Sequence, residues 1–292
     1  MHHRQLGSTG TKLSSIGLGA WLLSEKGRPT EENAIEVIHS SLNQGVNLID
    51  TANAYCLNDT EIGHNERLIK KALESWKETH SVYVATKGGC TRPDGAWGRN
   101  GKKQHLLEAC KKSLEDLGID QIFLYQLHGP GSNCPFEESI EALAELKQKG
   151  LVKYLGLSNV SLEQLNQAQA VTRIESVQNC FNLYSTEDLT NGLIKACEAQ
   201  RVTYIAYSPV GSRPKHVDMT KGELLQKLSL KYKVSSYQVL LAWVLHLSKN
   251  MIAISGSTRV ESAEDSPKAM GLSLEKEDLF LLDKFSLKGG LV

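Results

Sequence analysis

Val46-Asn47-Leu48-Ile49-Asp50-Thr51-Ala52-Asn53-Ala54-Tyr55 opens on a short apolar run and closes on a carboxylate and a phenol. The run reads as a β-strand covered on both faces, with Asp50 at its C-terminal end. Two further runs have the same form. Val82-Tyr83-Val84-Ala85-Thr86-Lys87 ends on a lysine, and Ile122-Phe123-Leu124-Tyr125-Gln126-Leu127-His128 ends on a histidine. If these strands lie parallel in one barrel, Asp50, Tyr55, Lys87 and His128 meet at its C-terminal rim, where such barrels build active sites.

Outward from these three runs, strands and helices alternate along the whole chain. Strands are expected at 15–20, 46–49, 82–86, 122–127, 152–157, 176–181, 202–207 and 251–255. Helices are expected at 34–42, 63–76, 104–117, 137–149, 161–170, 187–199, 219–232 and 236–247, with two more at 259–269 and 275–285. Thr30-Glu31-Glu32-Asn33 supplies a cap and acidic first turn for the first helix, and Gly45 is placed to stop it. Such alternation predicts a parallel sheet, and eight strands within 292 residues fit a closed (β/α)8 TIM barrel better than an open sheet. Arg4-Gln5-Leu6 and Lys12-Leu13 flank the turn Gly7-Ser8-Thr9-Gly10, which predicts an N-terminal β-hairpin, and the last periodic segment predicts a C-terminal helical tail. No shift in composition marks a boundary, so residues 1–292 are read as one barrel domain. Gly88 to Lys103 and Gly129 to Pro135 lack periodicity, and both are expected to overhang the pocket mouth.

The chain is 40% hydrophobic and 23% charged, with 33 basic and 33 acidic residues. That balance argues against a nucleic-acid surface. Met1 to Gly7 contains no apolar segment of the signal-peptide type, and the longest apolar stretch, Val239 to Leu247, is too short to span a bilayer. The six cysteines form no CxxC pair and read as reduced thiols of a cytoplasmic protein. The histidines show no ligand spacing beyond the adjacent His2-His3, so no metal site is expected.

A tyrosine phenol has an unperturbed pKa of about 10 and is a weak acid near neutrality. A lysine ammonium beside it stabilises the phenolate, a carboxylate holds that lysine, and a neutral histidine orients a carbonyl oxygen. Alone, an Asp at a strand end is a turn residue and a Tyr is packing. Together, Asp50, Tyr55, Lys87 and His128 form a proton-donating set. Trp21, just past the first strand, and Trp97, in the loop after Lys87, are expected to touch substrate together with Tyr55 and His128.

A proton donor facing a carbonyl needs a hydride source. Gly17-Leu18-Gly19-Ala20-Trp21-Leu22 lacks the third glycine of the dinucleotide fingerprint, so a Rossmann site is rejected. Three later strand ends offer another cradle. Ser158 and Asn159 suit a carboxamide, and Gln178 adds a second amide. Tyr207 can stack on nicotinamide, and Ser208-Pro209-Val210-Gly211-Ser212 forms a small-residue turn for a pyrophosphate. Gly256, Ser257, Thr258 and Arg259 open a helix with groups suited to a 2′-phosphate.

In this order, Gly-Leu-Gly-Ala-Trp, Asp-Thr-Ala with Tyr five residues past the Asp, Thr-Lys, Leu-His, Gly-Leu-Ser-Asn, Val-Gln-Asn, Tyr-Ser-Pro and Gly-Ser-Thr-Arg resemble the aldo-keto reductase superfamily, closest to its bacterial-type members. The resemblance implies NADPH/NADP+ as cofactor, a small carbonyl compound as substrate, Tyr55 as general acid, Lys87 and Asp50 tuning it, and His128 orienting the substrate. It also implies cofactor contacts from Gly19, Ala20, Trp21, Asp50, Asp265 and Ser266. The chain departs from the family at Ile254-Ser255-Gly256, where Ile-Pro-Gly is common, and at Glu264-Asp265-Ser266, where Glu-Glu-Asn is common. The loop after Val210 reads as short, which predicts no cofactor clamp and quick cofactor exchange. The same residues would serve an alcohol, sugar or pyridoxine-type dehydrogenase, and some members of this superfamily are cofactor-sensing subunits. Direction, physiological substrate and oligomeric state are left open.

Overall fold

In a computed structural model, which describes residues 3–78, 80–211 and 220–287, the predicted alternation closes on itself. The strands are β1 (His3–Gln5), β2 (Lys12–Ser14), β3 (Ile16–Gly19), β4 (Leu48–Asp50), β5 (Tyr83–Gly88), β6 (Cys90–Thr91), β7 (Gly98–Arg99), β8 (Ile122–Leu127), β9 (Val152–Ser158), β10 (Ser176–Cys180), β11 (Thr203–Tyr207) and β12 (Met251–Gly256). β3, β4, β5, β8, β9, β10, β11 and β12 form a closed parallel barrel, with β12 returning to β3. Helices surround it, beginning with α1 (Glu31–Asn43), α2 (His64–Ser75) and α3 (Lys103–Leu117) and ending with Lys276–Leu287. Thr30 caps α1 as expected, its hydroxyl accepting from the Asn33 backbone N–H at 3.3 Å. No helix among the described residues is long and apolar enough to cross a membrane.

Strand periodicity sets what fills the barrel. Leu48, Ala85, Leu124, Ile205, Ile252 and Ile254 form an apolar cluster inside, which Leu6 and Leu13 of the β1–β2 hairpin join. The hairpin therefore plugs the N-terminal end. Two residues further along the same strands stand Asp50, Lys87 and Gln126, all buried. An apolar floor thus carries a polar layer directly above it, towards the C-terminal rim. Intervening residues face outward: Ile49 packs in the cluster that holds Val37, Leu68 and Ile69 of α1 and α2.

Local structure departs from the expected pattern in four places. The helix expected over 187–199 breaks into Glu187–Thr190 and Leu193–Ala199, because Gly192 takes a left-handed φ of 87°. The helix expected over 259–269 stops at Asp265 and continues as the 3-10 segment Ser266–Gly271, where Pro267 has no N–H to give. Gly88 to Lys103 is not structureless: β6 and β7 pair across a turn at Pro93–Gly95. Gly129 to Pro135 does not reach the pocket. It braces the β6–β7 hairpin instead, with the Gly101 N–H donating to Asn133 Oδ1 at 3.1 Å and Asn133 Nδ2 to Asn100 Oδ1 at 2.9 Å.

Candidate active site

A cleft of about 1070 Å³ opens at the C-terminal end of the barrel. Lys87 lies beneath it, fully buried, and all three of its N–H bonds are used. Nζ donates to Asp50 Oδ1, to the Thr51 carbonyl at 2.9 Å and to Tyr55 Oη at 2.9 Å. Asp50 Oδ2 accepts from Gln178 Nε2 at 2.8 Å and from Gln126 Nε2 at 3.2 Å. A buried ion pair is tolerated when its remaining lone pairs and protons are satisfied in this way. Tyr55 leans over the ammonium, with Nζ 4.8 Å from its ring centre.

The lysine does not leave Tyr55 more acidic than an ordinary phenol. Burial pushes Tyr55 well above its usual value, and the negative charge of Asp50 adds to the shift. The phenol is therefore protonated at neutral pH, the state a proton donor requires. Lys87 donates to its oxygen from one side, so the hydroxyl's own hydrogen can be directed at the cleft. Burial lowers Lys87 from its usual value while Asp50 pulls the other way.

His128 packs edge-on to Tyr55, ring centres 5.5 Å apart, and edge-on to Trp97 at 5.9 Å. Burial drives its pKa well below 6.5, and the charges of Lys87 and Arg99 add to this, so the imidazole is neutral. Its Nδ1 is buried with no partner among the described residues. Such a nitrogen is costly unless something binds it. Asn159 fixes the backbone beneath this ring: its Nδ2 donates to the His128 carbonyl at 2.9 Å, and its Oδ1 accepts from Tyr207 Oη at 2.8 Å.

Gly19, Trp21, Asp50, Tyr55, Trp97 and His128 line the cleft, as do Ser158, Asn159 and Gln178. Tyr207, Ser208, Pro209, Val210 and Gly211 form one flank; Gly256, Ser257, Thr258, Arg259, Asp265 and Ser266 form another. Ala20 does not reach it: it is buried, its carbonyl accepting from Asn65 Nδ2 at 2.9 Å. Ser212 and the loop expected to lack a clamp lie outside the described residues.

Several polar groups assigned to a cofactor already have protein partners. The Asn159 amide is spent on His128, on Ser158 Oγ and on Tyr207, so it pins the Tyr207 ring rather than standing free. Ser257 Oγ donates to the Arg259 carbonyl at 2.7 Å. Asp265 Oδ1 accepts from Gln238 Nε2 at 2.6 Å, and Ser266 Oγ is 3.2 Å from Ser255 Oγ. Arg259, by contrast, makes only a 3.3 Å bond to Ser262 Oγ with its side chain and forms no ion pair among the described residues. Cys90 also lines the cleft, but burial raises its thiol to about 11, which keeps it protonated and unreactive.

The residues fit a nicotinamide dinucleotide. A drug-sized ligand fills roughly 300–1,000 Å³, so the cleft has room for a dinucleotide beside a small substrate. A pinned aromatic ring, the Ser208–Gly211 turn and a guanidinium without an ion-pair partner among the described residues all line it. Sequence reasoning missed Gln126, Arg99 and Tyr237. Gln126 carried a signal, being polar at an inward position of an apolar strand. Arg99 and Tyr237 carried none, because one lies in an aperiodic loop and the other opens a helix whose direction only the fold supplies.

Comparison with known proteins gives a consistent picture. The profile of the Aldo/keto reductase family matches residues 15–286. An uncharacterized oxidoreductase of Schizosaccharomyces pombe is 30% identical over 278 residues, which cover 93% of this chain and 86% of that protein. A thermostable aldo-keto reductase solved with the inhibitor epalrestat superposes with a TM-score of 0.81 at 28% identity, covering 97% of this chain and 99% of the other. The aldo/keto reductase of Klebsiella pneumoniae, solved with NADP and acetate, has a TM-score of 0.82 at 22% identity over 98% and 96% of the two chains, a likeness of fold.

Proposed function

Because the chain belongs to the aldo/keto reductase family, whose members are NADP-dependent oxidoreductases, we propose that it reduces an aldehyde or ketone to an alcohol with Tyr55 as the proton donor. The observation that carries this reading is the 2.9 Å bond from Lys87 Nζ to Tyr55 Oη, made by a lysine that is itself held by Asp50. Bound NADPH supplies a hydride to the carbonyl carbon. Tyr207 would face the nicotinamide, the Ser208–Gly211 turn the pyrophosphate and Arg259 the 2′-phosphate.

The residues of this chain handle the oxygen. Neutral His128 offers it a hydrogen bond and fixes its direction. Tyr55 gives it a proton, and the charge left on the phenol is met at once by Lys87. Asp50 keeps Lys87 in place, and Gln178 and Gln126 keep Asp50 in place. Donors fixed before the reaction cost no reorganisation during it, which is the main source of acceleration in such a site. Trp97 and Trp21 wall the cleft. The set works in either direction, so the ratio of reduced to oxidised cofactor decides whether alcohol is formed or consumed. The hydrogen-bonded chain from Asp50 through Lys87 to Tyr55, with the His128 ring packed against Tyr55, supports turnover over a sensing role.

The test is NADPH consumption against a panel of activated aldehydes and ketones and pyridoxal, with NADH in parallel. Tyr55→Phe should lower turnover by at least about 10²-fold and keep its NADPH affinity. Undiminished turnover in that variant would remove Tyr55 as the acid.

A further inference from the structure

The substrate end of the cleft holds one cation that the described fold leaves unpaired. Arg99 closes β7 and lines the wall beside Trp97 and His128. Its Nη1 donates to the Pro130 carbonyl at 3.3 Å. The guanidinium lies across Gly129, where an added Cβ would stand 2.9 Å from Arg99 Cζ. The absence of a side chain after His128 leaves the guanidinium room to lie close to the backbone there. The remaining N–H bonds of Arg99 have no partner among the described residues.

Neighbouring cations differ. Arg92, stacked 4.2 Å from the Trp97 ring, is paired with Glu25 at 3.4 Å. Arg28 is paired with Glu61 at 2.9 Å, and Lys87 with Asp50. Two arginines lining the cleft stay unpaired among the described residues, Arg259 at the cofactor end and Arg99 at the substrate end. The charge of Arg99 is felt inside, since it contributes to holding His128 neutral.

We propose that Arg99 is a specificity residue that selects carbonyl substrates bearing a carboxylate, which its guanidinium binds while the carbonyl lies at Tyr55 and His128. The inference rests on the reductase reading of the same site. A planar guanidinium fork matches a carboxylate in shape and in charge. A phosphate dianion would leave a second charge unmet, because the other cations near this end, Lys87 and Arg92, are taken by Asp50 and Glu25.

The experiment compares kcat/KM for succinic semialdehyde with that for its methyl ester, in wild type, Arg99→Gln and Arg99→Lys. The ratio of acid to ester should fall at least about tenfold in Arg99→Gln, mainly through KM. Arg99→Lys should recover part of it, and added salt should lower the wild-type ratio. A ratio that is the same in Arg99→Gln as in wild type, with the ester still reduced, overturns this inference and leaves the reductase reading standing. Failure of wild type to reduce either compound overturns this inference, and failure on the whole aldehyde and ketone panel as well overturns the reductase reading. Glyceraldehyde 3-phosphate against glyceraldehyde forms the second arm. A larger Arg99-dependent change there than in the first pair would overturn the choice of carboxylate in favour of phosphate.

Discussion

Ionising Glu66 should weaken the fold. The side chain is buried at the start of α2, where Oε1 accepts from Thr86 Oγ1 at 2.5 Å and Oε2 has no partner among the described residues. Burial pushes this carboxyl up from 4.5 to about 7, against the opposing pull of the Thr86 and Ser113 hydroxyls. The folded value exceeds the unfolded one, so between them the folded chain binds more protons than the unfolded chain. Its stability is then complete below the unfolded value, falls as pH rises through the window, and levels off above about 7. At about 1.36 kcal/mol for each pH unit between the two values, the effect is about 3 kcal/mol. Glu66→Gln keeps the shape and removes the ionisation. Urea unfolding of both proteins across the window, followed by circular dichroism, should show the variant gaining on wild type by about 2–3 kcal/mol between roughly pH 5 and pH 8. Any fixed cost of placing an amide there displaces the whole difference curve without changing its slope. Parallel curves for the two proteins would refute the argument.

Two further outcomes follow from the polar layer and the cleft. Lys87→Met leaves Asp50 buried with two amide donors and no cation, so it should lose about 3–5 kcal/mol of stability as well as turnover; adding Asp50→Asn should regain much of the stability and none of the turnover, and a single variant as stable as wild type in urea would contradict this. Arg259→Ala should cut the preference for NADPH over NADH in kcat/KM by at least about tenfold, and an unchanged preference would remove Arg259 from the 2′-phosphate.

What could be read in the sequence followed the barrel's own periodicity. Asp50, Lys87 and His128 each close an apolar run, and a closed parallel barrel leaves strand ends only one place to meet, so their convergence needed no long-range information. Tyr55 came with them because it lies in the turn that follows β4. Side-chain partners were less legible. Asn159 and Ser257 have the right chemistry for a ligand, yet a side chain's nearest acceptor depends on which strands become neighbours. Asn159 spends its amide on His128, just past β8, and on Tyr207 of β11, and neither proximity is visible along the chain. The Gly129 to Pro135 loop failed for a related reason. It follows a C-terminal strand end, but the β6–β7 hairpin folds over the mouth first and the loop is left to support it from behind.

Asn65 and Glu66, at the start of α2, act on the barrel from outside. Consecutive strand residues point to opposite faces, so Asp50 and Lys87 turn inward while Thr51 and Thr86 turn outward. Both threonines are held by consecutive residues of α2: Thr51 Oγ1 donates to Asn65 Oδ1 at 2.6 Å, and Thr86 Oγ1 donates to Glu66 Oε1. Asn65 Nδ2 also reaches the Ala20 carbonyl just past β3. One helical turn therefore fastens the ends of β3, β4 and β5 from outside the barrel, and the Thr51 carbonyl that receives Lys87 Nζ is part of what it fastens. Because the groups that donate to Tyr55 and Asp50 must be placed before the reaction begins, the destabilisation that Glu66 brings at neutral pH falls where its buried carboxyl oxygen holds the strand that carries Lys87.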